Sequence, residues 1–233
     1  MPLFFNADHL PEPSLEYVAW VDVMGTQASM SRSLRVTANF MFKLHLAALQ
    51  APQANVRIYP VMDGFYAAAG DRVQMLNFLR GVFSAVAEEF NTTNENRFRF
   101  IVRGGLAFGP SVHGTNVPAG ASPVLGQAPN YRDSILLGMP MVQAHLSEAD
   151  APPYGILVHE SARTFAPLGQ EPLHHIWWRW DNAANHAVWS ALQDNLNVYF
   201  DWCAERSLRL GYSLDRIKAH KNMVAQYFTD MQT

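Results

Sequence analysis

The sequence predicts an α+β fold with a ferredoxin-like βαββαβ core, followed by extra C-terminal helices. Two strand-like runs, Tyr17–Gly25 and Arg57–Ala69, each contain one carboxylate among apolar residues. After each run, apolar residues recur at steps of three and four, which is typical of amphipathic helices. A further strand-like run, Arg97–Phe108, completes the βαββαβ order, which places the first and third strands side by side in one sheet.

Length and composition indicate a globular protein of one domain, or of one domain with an appendage. The chain has 233 residues, of which 49% are hydrophobic and 16% are charged, so it can build a substantial core. The net charge of −3 argues against a nucleic-acid-binding surface, and the single cysteine excludes an intramolecular disulfide and a thiolate zinc cluster. Because no signal-peptide pattern and no apolar run near 18 residues is present, we expect a soluble cytoplasmic protein that binds neither nucleic acid nor membrane.

The first elements are predicted from hydrophobic spacing and from turn residues. Residues 1–14 contain three prolines and form an irregular lead-in to a strand at Tyr17–Val23. Thr26 or Ser29 caps a helix that runs to about Gln50. The apolar positions predicted to share the buried face of this helix are Leu34, Ala38, Met41, Phe42, His45 and Leu49.

A hairpin and a second helix follow. Asp63–Gly64 is a strong signal for a two-residue hairpin turn between the strands Val56–Met62 and Phe65–Ala69. The next helix extends from Gly70–Asp71 to about Phe90. Its predicted buried stripe consists of Val73, Leu76, Leu79, Phe83, Val86 and Phe90.

The rest of the chain is predicted as one long strand and several shorter elements. Within the strand Arg97–Phe108, Gly104–Gly105 indicates a bulge or a close backbone approach. The segment Gly109–Asn130 is rich in Gly and Pro, so we expect an arm outside the core that leaves His113 on the surface. The later predicted elements are a helix at Met139–Ala149, a strand at Ile156–Val158, a helix at His159–Phe165, a strand within Pro167–Trp180, and helices at Ala183–Arg206 and Leu214–Met231. The tryptophans of this part indicate packing in the core or at a dimer contact.

The strongest candidates for a functional site are the two isolated carboxylates, Asp22 and Asp63. A lone carboxylate within an apolar strand is costly to bury unless a Lys or Arg, a helix N-terminus or a metal ion meets it. Two carboxylates at the ends of neighbouring strands supply oxygen ligands that suit Mg²⁺ or Mn²⁺ beside a substrate phosphate. Each acid also has a structural interpretation, Asp22 as a strand-exit residue and Asp63 as a turn former.

Missing motifs exclude several kinds of catalytic site. The sequence lacks the P-loop, the dinucleotide-binding glycine motif, HExxH and the GxSxG elbow. Nothing supports covalent catalysis. Two acids on a sheet suit phosphoryl or nucleotidyl transfer by two metal ions.

Four segments, in the correct order, resemble the signature segments of class III nucleotidyl cyclases. They are VDVMG, VMDGFYAAAGD, IVRGGLAFGPSVHG, and LLGMPMVQAHLSEAD followed by GILVHESA. The chain looks most similar to the pyrimidine (uridylate or cytidylate) cyclases of Pycsar anti-phage defence. The resemblance implies a cyclase catalytic core at residues 1–166, and a C-terminal strand and helical extension at residues 167–233 packed on the same domain.

The resemblance assigns metal and base-reading roles to individual residues. Asp22 and Asp63 would bind two Mn²⁺ or Mg²⁺ ions, with the backbone carbonyl of Val23 as a further ligand. Tyr59 and Ile135 occupy the positions that read the base in adenylate and guanylate cyclases. An aromatic and an aliphatic residue at these positions imply a narrower pocket that suits a pyrimidine. They do not distinguish UTP from CTP, and UTP is the substrate that we expect.

A second set of positions departs from the purine cyclases. Those enzymes place Asn and Arg on the helix after the fourth-segment glycine to stabilise the transition state, and these positions hold Val142 and Leu146 here. Another cation must then neutralise the charge that develops on the α-phosphate. The candidates are Arg103, which is preferred, Arg99 and Arg132, the last also assigned to substrate binding. An ion pair with Asp22 or Asp63 is the alternative interpretation of Arg103.

The resemblance also implies an assembly and a reaction. Class III sites lie between two protomers, so a homodimer with sites at its interface is implied. UTP would be converted to 3′,5′-cyclic UMP and pyrophosphate, and a separate effector protein would read the product during anti-phage defence. A cytidylate cyclase, a purine cyclase and a catalytically inactive nucleotide-binding or dimerisation module stay open as alternatives.

Overall fold

The computed structural model describes residues 4–52 and 54–229, which form one mixed sheet with helices on both of its faces. The strands are β1 (Ser14–Val23), β2 (Arg57–Val61), β3 (Gly64–Ala69), β4 (Val102–His113), β5 (Leu136–Gly138), β6 (Ile156–Val158) and β7 (Trp177–Trp178). The helices are α1 (Thr26–Met30), α2 (Leu34–Gln50), α3 (Arg72–Thr92), α4 (Pro123–Gly126), α5 (Pro129–Asp133), α6 (Met139–Glu148), α7 (Glu160–Thr164), α8 (His186–Ala204), α9 (Ser207–Leu210) and α10 (Leu214–Thr229). None of these described helices is long and apolar enough to span a bilayer. The first three residues of the predicted lead-in, and the last two of the predicted final helix, lie outside the described ranges.

The sheet confirms the predicted strand neighbours. Its order is β2-β3-β1-β4-β6-β7, and β5 pairs with the far end of β4. The pair β4–β6 is parallel and the others are antiparallel. β1 therefore lies between β3 and β4, and its last residues lie beside the first residues of both neighbours.

Alternation along β1 decides which face carries the candidate acid. The odd-numbered residues from Tyr17 to Val23 belong to the main core, which also contains residues of α2 and α3. Val18 and Trp20 belong to two smaller clusters on the opposite face, where α6 packs on β1 and β4. Because side chains alternate between the faces of a strand, Asp22 lies on the face covered by α6.

Two adjacent glycines in β4 allow this close packing. A Cβ at Gly105 would lie 2.0 Å from the Ala144 carbonyl oxygen of α6, and one at Gly104 would lie 2.8 Å from the Trp20 carbonyl oxygen. The register between β1 and β4 continues through both residues without an insertion. The glycine pair is therefore a close backbone approach, and the predicted alternative of a bulge is wrong.

The C-terminal helices extend the main core. α8 packs on α3, and α10 packs on α8. Trp180 and Trp189 are buried, with ring centroids 4.9 Å apart, and the Trp180 indole N–H donates to the Tyr154 carbonyl at 2.9 Å. The tryptophans therefore pack in the core, as one of the two sequence-based interpretations expected.

The helix predicted between Thr26 and Gln50 is two helices, and its predicted buried face is wrong. The helix is interrupted at residues 31–33. The Ser33 hydroxyl caps α2 by accepting from the Val36 N–H at 3.3 Å. The residues of α2 that are buried are Thr37, Phe40, Leu44, Ala47 and Ala48, whereas Leu34, Phe42 and Leu49 are exposed. Both faces of this helix carry apolar residues, so spacing alone did not select the one that meets the sheet.

β4 is displaced relative to its prediction, and the predicted arm after it is partly wrong. The strand begins at Val102 and continues to His113, pairing with the start of β1 and with β5. His113 is only 1% exposed, in contrast to its predicted place on the surface. The segment after it forms short helical turns, α4 and α5.

Candidate active site

The two candidate acids lie at the same edge of the sheet. Asp22, one residue before the end of β1, is paired with Gly64 of β3 on one side and with Arg103 of β4 on the other. Asp63 immediately precedes Gly64 in the chain. Cross-strand partners in an antiparallel pair project from the same face, so the side chains of Asp22 and Arg103 share a face.

The turn that carries Asp63 differs by one residue from its prediction. Val61 pairs with Gly64, so the two-residue loop is Met62–Asp63, and Gly64 is the first residue of β3. Met62 has a φ of 44°, the positive value that such turns require. Gly64 is needed for another reason, because a Cβ there would lie 2.3 Å from the Val21 carbonyl oxygen.

Thr26 holds Asp63 from the next segment of the chain, a contact that the sequence analysis missed. The Thr26 hydroxyl, at the first residue of α1, donates to the Asp63 carboxylate. Thr26 is buried although it is polar. The signal for this role was its position four residues after Asp22, but the sequence analysis used it only as a possible helix cap.

Asp22 is half-buried, with too little positive charge around its carboxylate. Its Oδ1 atom is buried and has no hydrogen-bond partner among the described residues. Burial, and then the negative charges of Asp63 and Glu148, raise the pKa of Asp22 to about 8, against the opposing effects of the Val23 backbone N–H and Arg103. Such a carboxylate is one that a cation would stabilise.

Arg103 lies beside Asp22 but is engaged elsewhere. It forms a largely buried ion pair with Glu148, the last residue of α6, and it donates to the Ala149 carbonyl at 2.9 Å. Arg103 therefore forms an ion pair, as the alternative interpretation expected, but its partner is Glu148 and neither Asp22 nor Asp63. Glu148 was missed because it is distant from Arg103 in sequence and lies at the end of an amphipathic helix, where a polar residue is ordinary.

The two other candidate arginines lie away from the acids. Arg99 donates to the Thr93 carbonyl at 3.0 Å and lies over the ring of Phe90. Arg132, in α5, pairs with its neighbour Asp133 at 2.9 Å. Neither is placed against Asp22 or Asp63.

Tyr59 belongs to a buried chain of hydrogen bonds that the sequence did not reveal. Its hydroxyl lies 2.5 Å from Nδ1 of His113, and Nε2 of His113 lies 2.5 Å from the Glu16 carboxylate. Burial raises the pKa of the Tyr59 hydroxyl. The chain connects β2, β4 and β1, and no spacing pattern links residues so far apart in sequence.

Ile135 and Arg132 lie beside Gly114, the residue that follows His113. The Ile135 carbonyl accepts from the Gly114 N–H at 2.8 Å, and the Arg132 carbonyl is packed so closely that a Cβ at Gly114 would lie 1.7 Å from it. Glu16 and Asp22 are six residues apart on β1, which corresponds to roughly 20 Å. Tyr59 itself is aligned through Tyr66 with Trp20, two residues from Asp22, and its hydroxyl reaches toward the end of the face where Ile135 and Arg132 lie. Asp22, Asp63 and Arg103 lie together at the other end.

The donor set at the Asp22 end suits a hard divalent cation. It offers carboxylate oxygens, one of them an orphaned buried atom, and no sulfur or imidazole ligand among the contacts of the described residues. No cluster of three or more His, Cys, Asp or Glu residues with metal-binding geometry occurs in residues 4–52 and 54–229. Two carboxylates alone leave coordination positions for substrate oxygens, which is how Mg²⁺ is commonly bound.

Comparisons with known proteins bear on the fold. No protein-family profile matches the sequence, and no curated protein does. Among solved structures, a bacterial light-regulated adenylyl cyclase has a TM-score of 0.52 at 11% identity, covering 82% of this chain and 60% of that chain. A double mutant of the guanylyl cyclase domain of the RhoGC fusion protein from the aquatic fungus Blastocladiella emersonii, described as monomeric, has a TM-score of 0.50 at 17% identity, covering 66% of this chain and 83% of that chain. The chain has the fold of a nucleotidyl cyclase catalytic domain.

Asp22, Asp63 and Arg103 lie on the sheet of this cyclase fold. The βαββαβ order and the α+β class expected from the sequence are confirmed by the strand order and by these likenesses. At such low identity the likeness concerns the fold alone. The activity therefore has to be argued from the residues at the sheet edge.

Proposed function

We propose that this chain is a nucleotidyl cyclase, a phosphorus–oxygen lyase that converts UTP to 3′,5′-cyclic UMP and pyrophosphate. The observation that carries the proposal is the Asp22 carboxylate, which has one buried oxygen without a partner among the described residues and lies beside Asp63 in a cyclase fold. In the reaction, the ribose 3′-oxygen forms a bond to the α-phosphorus while the bond to pyrophosphate breaks. The 3′-hydroxyl proton passes to solvent.

A divalent cation, Mn²⁺ or Mg²⁺, with two ions per site, belongs to this proposal. Asp22 and Asp63 would hold it, with the Val23 carbonyl as a further ligand. The chemistry that such ions supply is a lowered pKa of the ribose 3′-hydroxyl and neutralisation of phosphate charge. Until a cation binds, Asp22 retains its proton at neutral pH, because its pKa is raised to about 8.

Arg103 is the proposed cation for the charge that develops on the α-phosphate. Glu148 and the Ala149 carbonyl hold its side chain on the same face as Asp22. Its role is to stabilise and position, since a guanidinium stays protonated throughout. Thr26 positions Asp63 by its hydrogen bond.

Recognition of the base is proposed for Tyr59, Ile135 and Arg132. The Tyr59 hydroxyl is hydrogen-bonded to His113 and the residue is buried, so a fixed aromatic ring stands in place of the lysine or glutamate of purine cyclases. A fixed ring beside an aliphatic side chain narrows the space for a base. This supports a pyrimidine, and cytidylate cyclase is the alternative within the same class.

A homodimer with sites at its interface is part of the proposal. Ile135 and Arg132, two of the proposed base-reading residues, lie toward the opposite end of the face from the proposed metal-binding acids, which supports a nucleotide held between two chains. Met139, Val142 and Leu146 form an exposed apolar stripe on α6, at a spacing of three and four residues. An exposed apolar stripe of this kind is typical of an interaction surface.

An inactive nucleotide-binding or dimerisation module is the second candidate. It is favoured by the ion pair of Arg103 with Glu148, which already occupies the proposed catalytic cation. It is also favoured by Val142 and Leu146, which are apolar at the positions where purine cyclases hold Asn and Arg. Such a module would bind nucleotide with metal but would form no cyclic product. In either case, a role in anti-phage signalling through a separate effector follows from the resemblance alone.

Product identification tests the proposed function. Purified protein is incubated with Mn²⁺ and each of the four ribonucleoside triphosphates, and the products are identified by mass spectrometry. Cyclic UMP as the dominant product supports the proposal, and cyclic CMP supports the cytidylate alternative. A complete absence of cyclic product, with metal-dependent UTP binding retained, would support the inactive module.

A further inference from the structure

A cavity of about 670 Å³ lies between the turn after β1, the start of α2 and the C-terminal helices. Its walls include Val23–Thr26 from the turn, and residues of α8, α9 and α10. Neither Asp22 nor Asp63 lines it. The cavity is thus a neighbour of the proposed metal site. Part of its wall comes from residues 199–220, to which the proposed function gives no role.

The charge around this cavity is of one sign. Six of its lining residues are arginines, and no Asp or Glu of the described residues lines it. The arginines are Arg32, Arg97, Arg99, Arg206, Arg209 and Arg216. This concentration occurs in a chain whose net charge is −3. A cleft lined by one sign of charge focuses the field and attracts counter-ions.

Most of these positive charges are not neutralised by carboxylates. Arg97 pairs with Glu95, and Arg206 pairs with Glu205. Arg32 donates to the carbonyls of Arg209 and Leu210, which joins α9 to the start of α2 without neutralising its charge. The side chains of Arg209 and Arg216 are exposed at the rim, and neither has a hydrogen bond or an ion pair within the part of the chain that the structure describes.

A buried histidine in the cavity wall is neutral. His220 lines the cavity and is bonded to the Tyr212 hydroxyl. Burial, followed by the charges of Arg103 and Arg216, lowers the pKa of His220 to about 4. His220 is therefore neutral at physiological pH, and the cation character of the cavity comes from its arginines.

The remaining lining fits a planar organic phosphate. Phe40, Phe100, Tyr199, Trp202 and Tyr212 contribute aromatic surface. The Arg206 guanidinium lies 5.1 Å from the ring centroid of Trp202. Nucleotide-sized ligands occupy cavities of roughly 300–1,000 Å³. Guanidinium groups bind phosphate through paired hydrogen bonds, which explains a preference for arginine over lysine here.

We propose that this cavity binds the oligophosphate of a nucleotide, with Arg209 and Arg216 as its principal ligands. The site is distinct from the carboxylates of the proposed metal site. The C-terminal helices thereby acquire a binding role in addition to their packing on α3. The proposal does not depend on cyclase activity, because it concerns binding to the folded chain.

Binding of sodium tripolyphosphate without metal tests the site. The titration is carried out by calorimetry in EDTA, with wild-type protein and with Asp63→Asn, which removes a proposed metal ligand. We expect equal binding by these two proteins and at least a tenfold weaker affinity for the double variant Arg209→Gln/Arg216→Gln. Arg35→Gln is the matched control, because Arg35 is exposed in the first turn of α2, three residues after Arg32, but does not line the cavity.

The same variants identify the source of the oligophosphate. With Mn²⁺ present, the chain binds either one or two UTP molecules. One UTP per chain, bound more weakly by the double variant, indicates that the cavity holds the triphosphate of the nucleotide bound at Asp22 and Asp63. Two UTP per chain, of which the double variant loses one, indicates a separate nucleotide. Both results support the site.

Three results would overturn it. They are absence of tripolyphosphate binding by the wild type, retention of binding by the double variant, and an equal loss in Arg35→Gln. A circular dichroism melt of each variant establishes that it is folded. Because these measurements require no turnover, they remain valid if no nucleotide is cyclised.

Discussion

Asp22 lies within a regular strand, but the strand provides no partner for its buried carboxylate oxygen. The residue lies between Gly64 and Arg103 in the sheet, so its place follows from strand pairing alone. Its Oδ1 atom nevertheless has no partner among the described residues, and Arg103 is paired with Glu148. A turn former or a strand-exit residue would face solvent, which is why the burial favours a bound cation.

Cation binding should release a proton from Asp22. The pKa of Asp22 is raised to about 8, so the metal-free carboxyl is mostly protonated at pH 7 and deprotonated at pH 9.5. Because a ligating carboxylate must be ionised, we expect Mn²⁺ to release about one proton per chain at pH 7 and about none at pH 9.5. Calorimetry in two buffers of different ionisation enthalpy measures this number. An equal release at the two pH values would contradict the assignment.

The Tyr59 hydroxyl should contribute to stability through His113. Replacing Tyr59 by Phe leaves Nδ1 of a buried histidine without its partner. We expect Tyr59→Phe to lower the free energy of unfolding by roughly 1–3 kcal/mol, measured by urea denaturation. Tyr131→Phe is the control, since Tyr131 is exposed and should be within roughly 0.5 kcal/mol of the wild type. Equal stability of Tyr59→Phe and the control would show that the hydrogen bond contributes nothing.

At the scale of elements, the sequence predicted the order of strands and helices better than their faces. The strand at Tyr17–Val23 carries a local signal, an apolar run. Asp63–Gly64 predicted the hairpin, although the observed loop lies one residue earlier. The buried face of α2 depends on which of two apolar stripes meets the sheet, and that is decided by tertiary packing. His113 was misplaced for the same reason, because the pairing of β4 with β5 is not encoded near it.

The contact of β4 with α6 should depend on Gly105. An alanine Cβ would lie 2.0 Å from the Ala144 carbonyl oxygen, so α6 would have to move away from the sheet. We expect Gly105→Ala to destabilise the fold by roughly 1–3 kcal/mol in urea denaturation. Gly70→Ala is the matched control, because a Cβ at Gly70 meets no atom within 4 Å. Wild-type stability of Gly105→Ala would mean that the helix is not held in this position.

At the scale of the whole molecule, the chain presents the parts of a proposed site at two separate ends of one face. The acids and Arg103 lie at one end, Ile135 and Arg132 lie toward the other, and Tyr59 extends from the position of Trp20 to His113. The exposed apolar stripe of α6 runs on this same side of the sheet. The two-ended arrangement was not readable from the sequence, which gave the candidate residues but not their separation.

The most direct test of the central claim compares acid variants of the assembled protein in one assay. The rate of formation of cyclic nucleotide and pyrophosphate from UTP is measured with Mn²⁺ for wild type, Asp22→Asn, Asp63→Asn and Asp150→Asn. Asp150 is the control, because it is an exposed acid two residues after Glu148.

We expect Asp22→Asn and Asp63→Asn each to lose at least roughly 100-fold in rate, because each removes a ligand of the proposed metal site. Asp150→Asn should retain the wild-type rate. A near-wild-type rate in either of the first two variants would contradict the account.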